Sequence, residues 1–136
     1  MVSKAIFIDT QAFFSWASSN DLKHSQVVSY FQEPKTRFLT TDWVVGETVN
    51  LFVSRRKAHW AMHLFGLLDR TVAVRLHYVT PTQFQESRLW FERYRDQAFP
   101  FTDCTSFVVM RELGIEEALT ADGHFRSAGF HPLLAD

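Results

Sequence analysis

One cysteine, Cys104, four prolines and five glycines in 136 residues leave this chain little chemistry of the disulfide or loop-scaffold kind. A lone thiol cannot close an internal disulfide, which fits a reducing compartment, and a cytoplasmic location is expected. No apolar run approaches the roughly 18 residues a membrane span requires, so no membrane association is expected. Asp9 interrupts the N-terminal apolar stretch and no small-residue cleavage site follows it, so no secretory signal is expected either. Charge of one sign is not in excess: 14 basic and 15 acidic residues give a net charge of −1. A nucleic-acid binder of this composition would need its positive charge gathered locally. Repeats, low-complexity tracts and Gly/Ser-rich linkers are missing, and there is no Gly-rich phosphate loop, which excludes P-loop nucleotide hydrolysis.

What is present is an ordinary globular composition, 46% hydrophobic and 21% charged, on a length that predicts one domain, residues 1–136. Ala5 to Ile8 reads as a buried strand, followed by a helix from about Gln11. Asp21 is placed to cap a second helix bearing Val27, Tyr30 and Phe31, which Pro34 stops. Arg37 to Leu39 reads as a strand, and Thr41 or Asp42 caps a long helix with Val44, Val45, Thr48, Leu51 and Phe52 on one face. Helix His59 to Leu68, strand Val72 to Val79, and helix Thr82 to Tyr94 follow. Helix Asp103 to Leu113 comes after Pro100, with Gly114 at its C-cap. A strand ending at Thr120, a helical turn at Phe125 and a strand around Phe130 to Leu133 complete the chain. Short strands alternating with helices predict an α/β fold of three layers, a short central parallel sheet flanked by helices.

Four carboxylates fall where structure alone explains them poorly. Asp9 closes the first strand, Glu47 interrupts the buried side of the long helix, Asp103 opens another, and Asp122 ends the strand of Ala118, Leu119 and Thr120. Ligands of parallel sheets sit beyond the carboxyl ends of the strands. Acids gathered there would hold a hard divalent cation through oxygen. Each acid also has a structural reading. Asp9 suits a helix N-cap, Glu47 a surface position, Asp103 the positive end of a helix dipole beside Thr102 as cap, and Asp122 a turn before Gly123.

The segments FIDTQAFF, VVGETVNLF and FTDCTSFVVMRELGIEEALTADGHF resemble, in order, spacing and context, the PIN-domain ribonucleases, particularly the VapC-like toxins of type II toxin–antitoxin modules. The resemblance runs nearly end to end. It implies a PIN-like fold and an acidic quartet of Asp9, Glu47, Asp103 and Asp122 around Mg2+ or Mn2+. Thr10 and Thr102 would support those acids. The implied activity is an endoribonuclease cutting single-stranded or structured RNA with metal-activated water, leaving a 5′-phosphate and a 3′-hydroxyl. A homodimer and a small antitoxin protein that covers the acidic crevice are implied partners. Some relatives carry another acid after the fourth, where this chain has Gly123 and His124.

Secondary features read two ways. Arg55, Arg56 and Lys57 could hold RNA phosphates or form a solvated helix end. His124 could contact a phosphate or be a turn residue. His59 and His63 have the spacing of a zinc pair but no third ligand, and Cys104 reads as a buried filler. The abundant aromatics read as core or subunit interface. Two other functions compete. A haloacid-dehalogenase-like phosphohydrolase would want a second aspartate where Gln11 stands, and a non-catalytic PIN-like module would use the fold to bind proteins.

Overall fold

A computed structural model describes residues 5–135. Five parallel strands form one sheet: β1 (Ile6–Ile8), β2 (Phe38–Thr41), β3 (Val74–His77), β4 (Glu117–Leu119) and β5 (His131–Pro132). Their spatial order is β3-β2-β1-β4-β5. Phe7 sits opposite both Leu39 and Ala118, so β1 is the central strand. Phe7 and Ile8 point to opposite faces of the sheet and both are fully buried, as are Ala118 and Leu119. Helices therefore cover both faces, as a parallel sheet requires. After β3 the chain returns to the other side of β1, which puts the topological switch point between β1 and β4.

The helices are α1 (Thr10–Trp16), α2 (His24–Gln32), α3 (Asp42–Ser54), α4 (His59–Arg70), α5 (Pro81–Arg93), α6 (Phe101–Leu113) and α7 (Gly123–Ser127). Local chemistry explains several of their ends. Thr41 Oγ1 accepts the Val44 amide and starts α3. Thr80 and Gln83 form a reciprocal capping box with Pro81 at the first helical position, so α5 begins one residue before the expected Thr82. Gly114, at φ 70, closes α6 in the left-handed region, as expected. α6 is the central helix, buried on all sides from Asp103 to Met110. Phe107 anchors it, edge-on to Phe99 and Phe125 and stacked near Phe130.

Several boundaries differ from the sequence reading. α2 begins at His24, because the Asp21 carboxylate is engaged by Ser15 Oγ and the Lys23 amide in a turn ahead of the helix. Thr102 does not cap α6. Pro100 holds the N-cap position and Thr102 lies inside the first turn. The third strand shrinks to Val74–His77, with Val72 exposed, and the last to His131–Pro132. The second strand runs on to Thr41, and α4 runs on to Arg70.

Candidate metal centre and active site

Asp9 follows β1 directly and occupies the N-cap position of α1, yet its side chain makes no capping hydrogen bond. It is buried, and Oδ2 accepts from Thr120 Oγ1 at 2.9 Å across the switch point. Thr120, itself fully buried at the end of β4, also accepts the Asp122 amide at 3.0 Å. One hydroxyl thus ties the first acid to the backbone of the fourth. Gln11 adds a second tie, its Oε1 accepting the Ala121 amide and lying 3.3 Å from Thr120 Oγ1. Neither Thr120 nor Gln11 was expected to matter. A polar residue closing an otherwise apolar strand, two positions before an acid, was the available signal for Thr120.

Asp103 projects from the first turn of α6 and is also buried. Asp122 accepts the His124 amide with Oδ1 at 2.9 Å, capping the short α7, so the turn role expected for it is real. The His124 ring folds back over the same acids. Nδ1 lies 3.1 Å from Asp103 Oδ2 and 3.3 Å from Asp122 Oδ1, while Phe99 packs edge-on against the ring. One ligand atom from each of Asp103, Asp122 and His124 can be chosen so that all lie within 4.8 Å of one another.

Glu47 differs from its expected placement on the buried side of the helix. The apolar side of α3 is made by Val44, Val45, Thr48 and Phe52, and Glu47 turns outward beside Gly46. Its carboxylate still reaches the strand-end region, where Oε1 accepts from Thr10 Oγ1 at 2.6 Å. Among the described residues Thr102 makes no such bond to an acid. Its carbonyl accepts the Thr105 and Ser106 hydroxyls, and it lines an open crevice with Glu47, Asp42, Trp43, Gly46 and Asn50.

Burial and mutual repulsion show in the acidities. Asp9 is pushed up to about 7, first by burial, then by the charges of Asp103 and Asp122, against the opposing Thr120 bond. Asp103 rises to about 6, again chiefly by burial, then by Asp122 and more weakly Glu47, with His124 opposing. All four acids are therefore electrostatically linked, with Asp103 at the centre. Cys104 is fully buried and its thiol is pushed up to about 11, so it is no nucleophile. The acids offer carboxylate oxygens and no thiolate stands among them, which suits a hard divalent cation. Carboxyls raised by burial, and further by one another's charge, are what such a cation would relieve.

The basic run is not part of this cluster. Arg55 is the C-cap of α3 and lies over the Phe14 ring, Arg56 adopts a left-handed φ of 59, and Lys57 Nζ donates to the Ala17 carbonyl. Eight residues of helix, about 12 Å, separate Arg55 from Glu47. His59 and His63 instead pack against Trp60.

A parallel sheet with acids at its switch point defines a class, and comparison with known proteins agrees. The PIN domain family matches residues 6–131. The chain belongs to the PIN-domain family, among its VapC-like members. It is 31% identical over 125 residues to the 23S rRNA-specific endonuclease VapC20 of Mycobacterium tuberculosis, in two strains, covering 92% of this chain and 95% of that one. A crystal structure of VapC20, described as a sarcin–ricin loop-cleaving toxin, superposes with a TM-score of 0.82 at 30% identity, covering 93% and 96% of the two chains.

Proposed function

We propose that this chain is a metal-dependent endoribonuclease, the toxin of a toxin–antitoxin pair, acting through Asp9, Glu47, Asp103 and Asp122. The observation carrying this reading is Asp9. It is a buried carboxylate at an N-cap position that makes no capping bond, held instead by Thr120 toward two further acids. Structural duty does not account for it.

Asp9, Asp103 and Asp122 would hold Mg2+ or Mn2+, with Glu47 closing the set from α3. A divalent cation bound there supplies positive charge for the phosphodiester and lowers the pKa of water. Thr120 fixes the Asp9 carboxylate and the end of β4, and Thr10 aims Glu47. Water attacks phosphorus, the P–O3′ bond breaks, and the products carry a 5′-phosphate and a 3′-hydroxyl. The substrate is single-stranded or looped RNA. The sarcin–ricin loop, which VapC20 is described as cleaving, is the first to test. Arg55, Arg56 and Lys57, about 12 Å or more of helical rise beyond Glu47, would meet a phosphate further along the strand than the scissile one. The phosphohydrolase alternative loses support, because Gln11 is occupied as the clamp on Ala121 and Thr120.

The partners belong to the same proposal. An apolar groove of Val45, Val49, Phe65, Leu68, Leu76 and Tyr78 adjoins the crevice and shares Asp42, Gly46 and Asn50 with it. A small antitoxin covering the crevice would extend into that groove. A homodimer would bury other exposed apolar residues, among them Leu89 and Phe91. Among the described residues no helix is long and apolar enough to cross a membrane. The deciding experiment incubates the protein with labelled RNA in Mg2+, Mn2+ or EDTA. Metal-dependent cleavage is expected, and equal cleavage in EDTA would refute the reading.

A further inference from the structure

His124 stands out from the oxygen donors around it. It sits on the second residue of α7, whose first turn is pinned by the Asp122 carboxylate through the His124 amide. The ring is held from one side by the edge-on contact with Phe99. That leaves Nδ1 aimed inward, at 3.1 Å from Asp103 and 3.3 Å from Asp122, rather than out toward an approaching strand. Backbone and ring of one residue thus converge on one carboxylate. The three side chains can bring one ligand atom each within 4.8 Å of one another.

We propose that His124 Nδ1 is a metal ligand alongside Asp103 and Asp122, giving the centre a nitrogen donor that favours a transition-series divalent cation such as Mn2+ over Mg2+. The inference rests on the metal-dependent reading above and narrows it. Mg2+ takes oxygen ligands almost exclusively and keeps much of its water. Imidazole nitrogen suits the later first-row ions best, and Mn2+, though it also favours oxygen, accepts nitrogen more readily than Mg2+ does, so adding an imidazole to the carboxylates shifts selectivity toward it. The competing account is that His124 only neutralises the two acids as an ion pair. That account predicts no nitrogen bound to the ion.

Pulsed electron paramagnetic resonance of Mn2+ bound to the full chain separates the two, alongside calorimetric titration with Mn2+ and with Mg2+. The wild type should show a nitrogen coupling to Mn2+ and bind Mn2+ more tightly than Mg2+. His124→Asp should abolish the coupling and shrink the Mn2+ over Mg2+ preference, and His124→Ala should weaken Mn2+ binding by about tenfold or more. His124→Ala should also lose the coupling, and circular dichroism checks that both variants are folded. Mn2+ bound without nitrogen coupling, in a protein that still cleaves RNA, overturns the ligand assignment and leaves the nuclease reading standing. A coupling that survives in His124→Asp overturns it equally. Failure to bind either ion overturns both.

Discussion

Burial and the charges of Asp103 and Asp122 push the Asp9 carboxyl up to about 7. The consequence for stability has a definite sign. The folded pKa lies above the ordinary aspartate value of 3.8, so between these values the native state holds more protons than the unfolded chain. Metal-free protein should therefore be most stable in mild acid and lose stability as pH rises from about 4 to about 7. Asp103, raised to about 6, acts in the same direction. Asp9→Asn keeps the shape and the Thr120 bond but removes the charge. It should raise Tm in EDTA at pH 8 by a few degrees, flatten the pH dependence, and abolish cleavage. Added Mg2+ or Mn2+ should stabilise the wild type and not the variant. Thermal unfolding at pH 5 and pH 8, with and without metal, measures all of this. An Asp9→Asn protein less stable than wild type at pH 8 in EDTA would mean that the aspartate serves the fold.

Among the elements, the ends of β1 and β4 decide whether the acids meet, and Thr120 joins them. Thr120→Val preserves volume but leaves the Asp122 amide without that acceptor and Asp9 without that donor. It should cost about 1–3 kcal/mol of stability and weaken metal binding by about 10–100-fold, with Thr120→Ser restoring most of both. Denaturant unfolding and metal titration read the two effects, and an unchanged metal affinity would remove Thr120 from the site. Helix α3 offers the opposite case. Gly46 lies in its interior without a left-handed φ, and a Cβ there would meet nothing within 4 Å. Gly46→Ala should stabilise the protein by about 0.5–1 kcal/mol, and a lower Tm would show the position under hidden constraint. The same elements mark what the chain discloses unaided. Gly114 and the Thr80-Pro81 pair carry their own turn and cap chemistry, so the ends they set can be read locally. Asp21 failed as a cap because Ser15, six residues earlier, takes part in binding its carboxylate. The outward turn of Glu47 and the reach of Thr120 to Asp9, 111 residues away, depend on packing that periodicity does not encode.

At the scale of the whole molecule, a net charge of −1 must still admit a polyanion. The proposed phosphate contact lies just beyond the far end of α3, where Arg56 is exposed and holds a φ of 59. That backbone favours glycine, so Arg56→Gly removes the charge with no loss of stability expected. It should weaken RNA binding and lower the salt slope by about 0.7 if one phosphate contact is lost. An unchanged slope would give Arg56 a structural role only.

The fold supplies the switch point, the strands deliver Asp9 and Asp122 to it, and α6 and α3 bring Asp103 and Glu47 from the flanks. The claim that this assembly hydrolyses RNA through a divalent cation is tested most directly by the ends it leaves. Labelled single-stranded or hairpin RNA, incubated with the protein in Mg2+ or Mn2+, should yield fragments bearing a 5′-phosphate and a 3′-hydroxyl. No cleavage should occur in EDTA or with Asp103→Asn. Fragments ending in a 2′,3′-cyclic phosphate, or cutting that persists in EDTA, would contradict it.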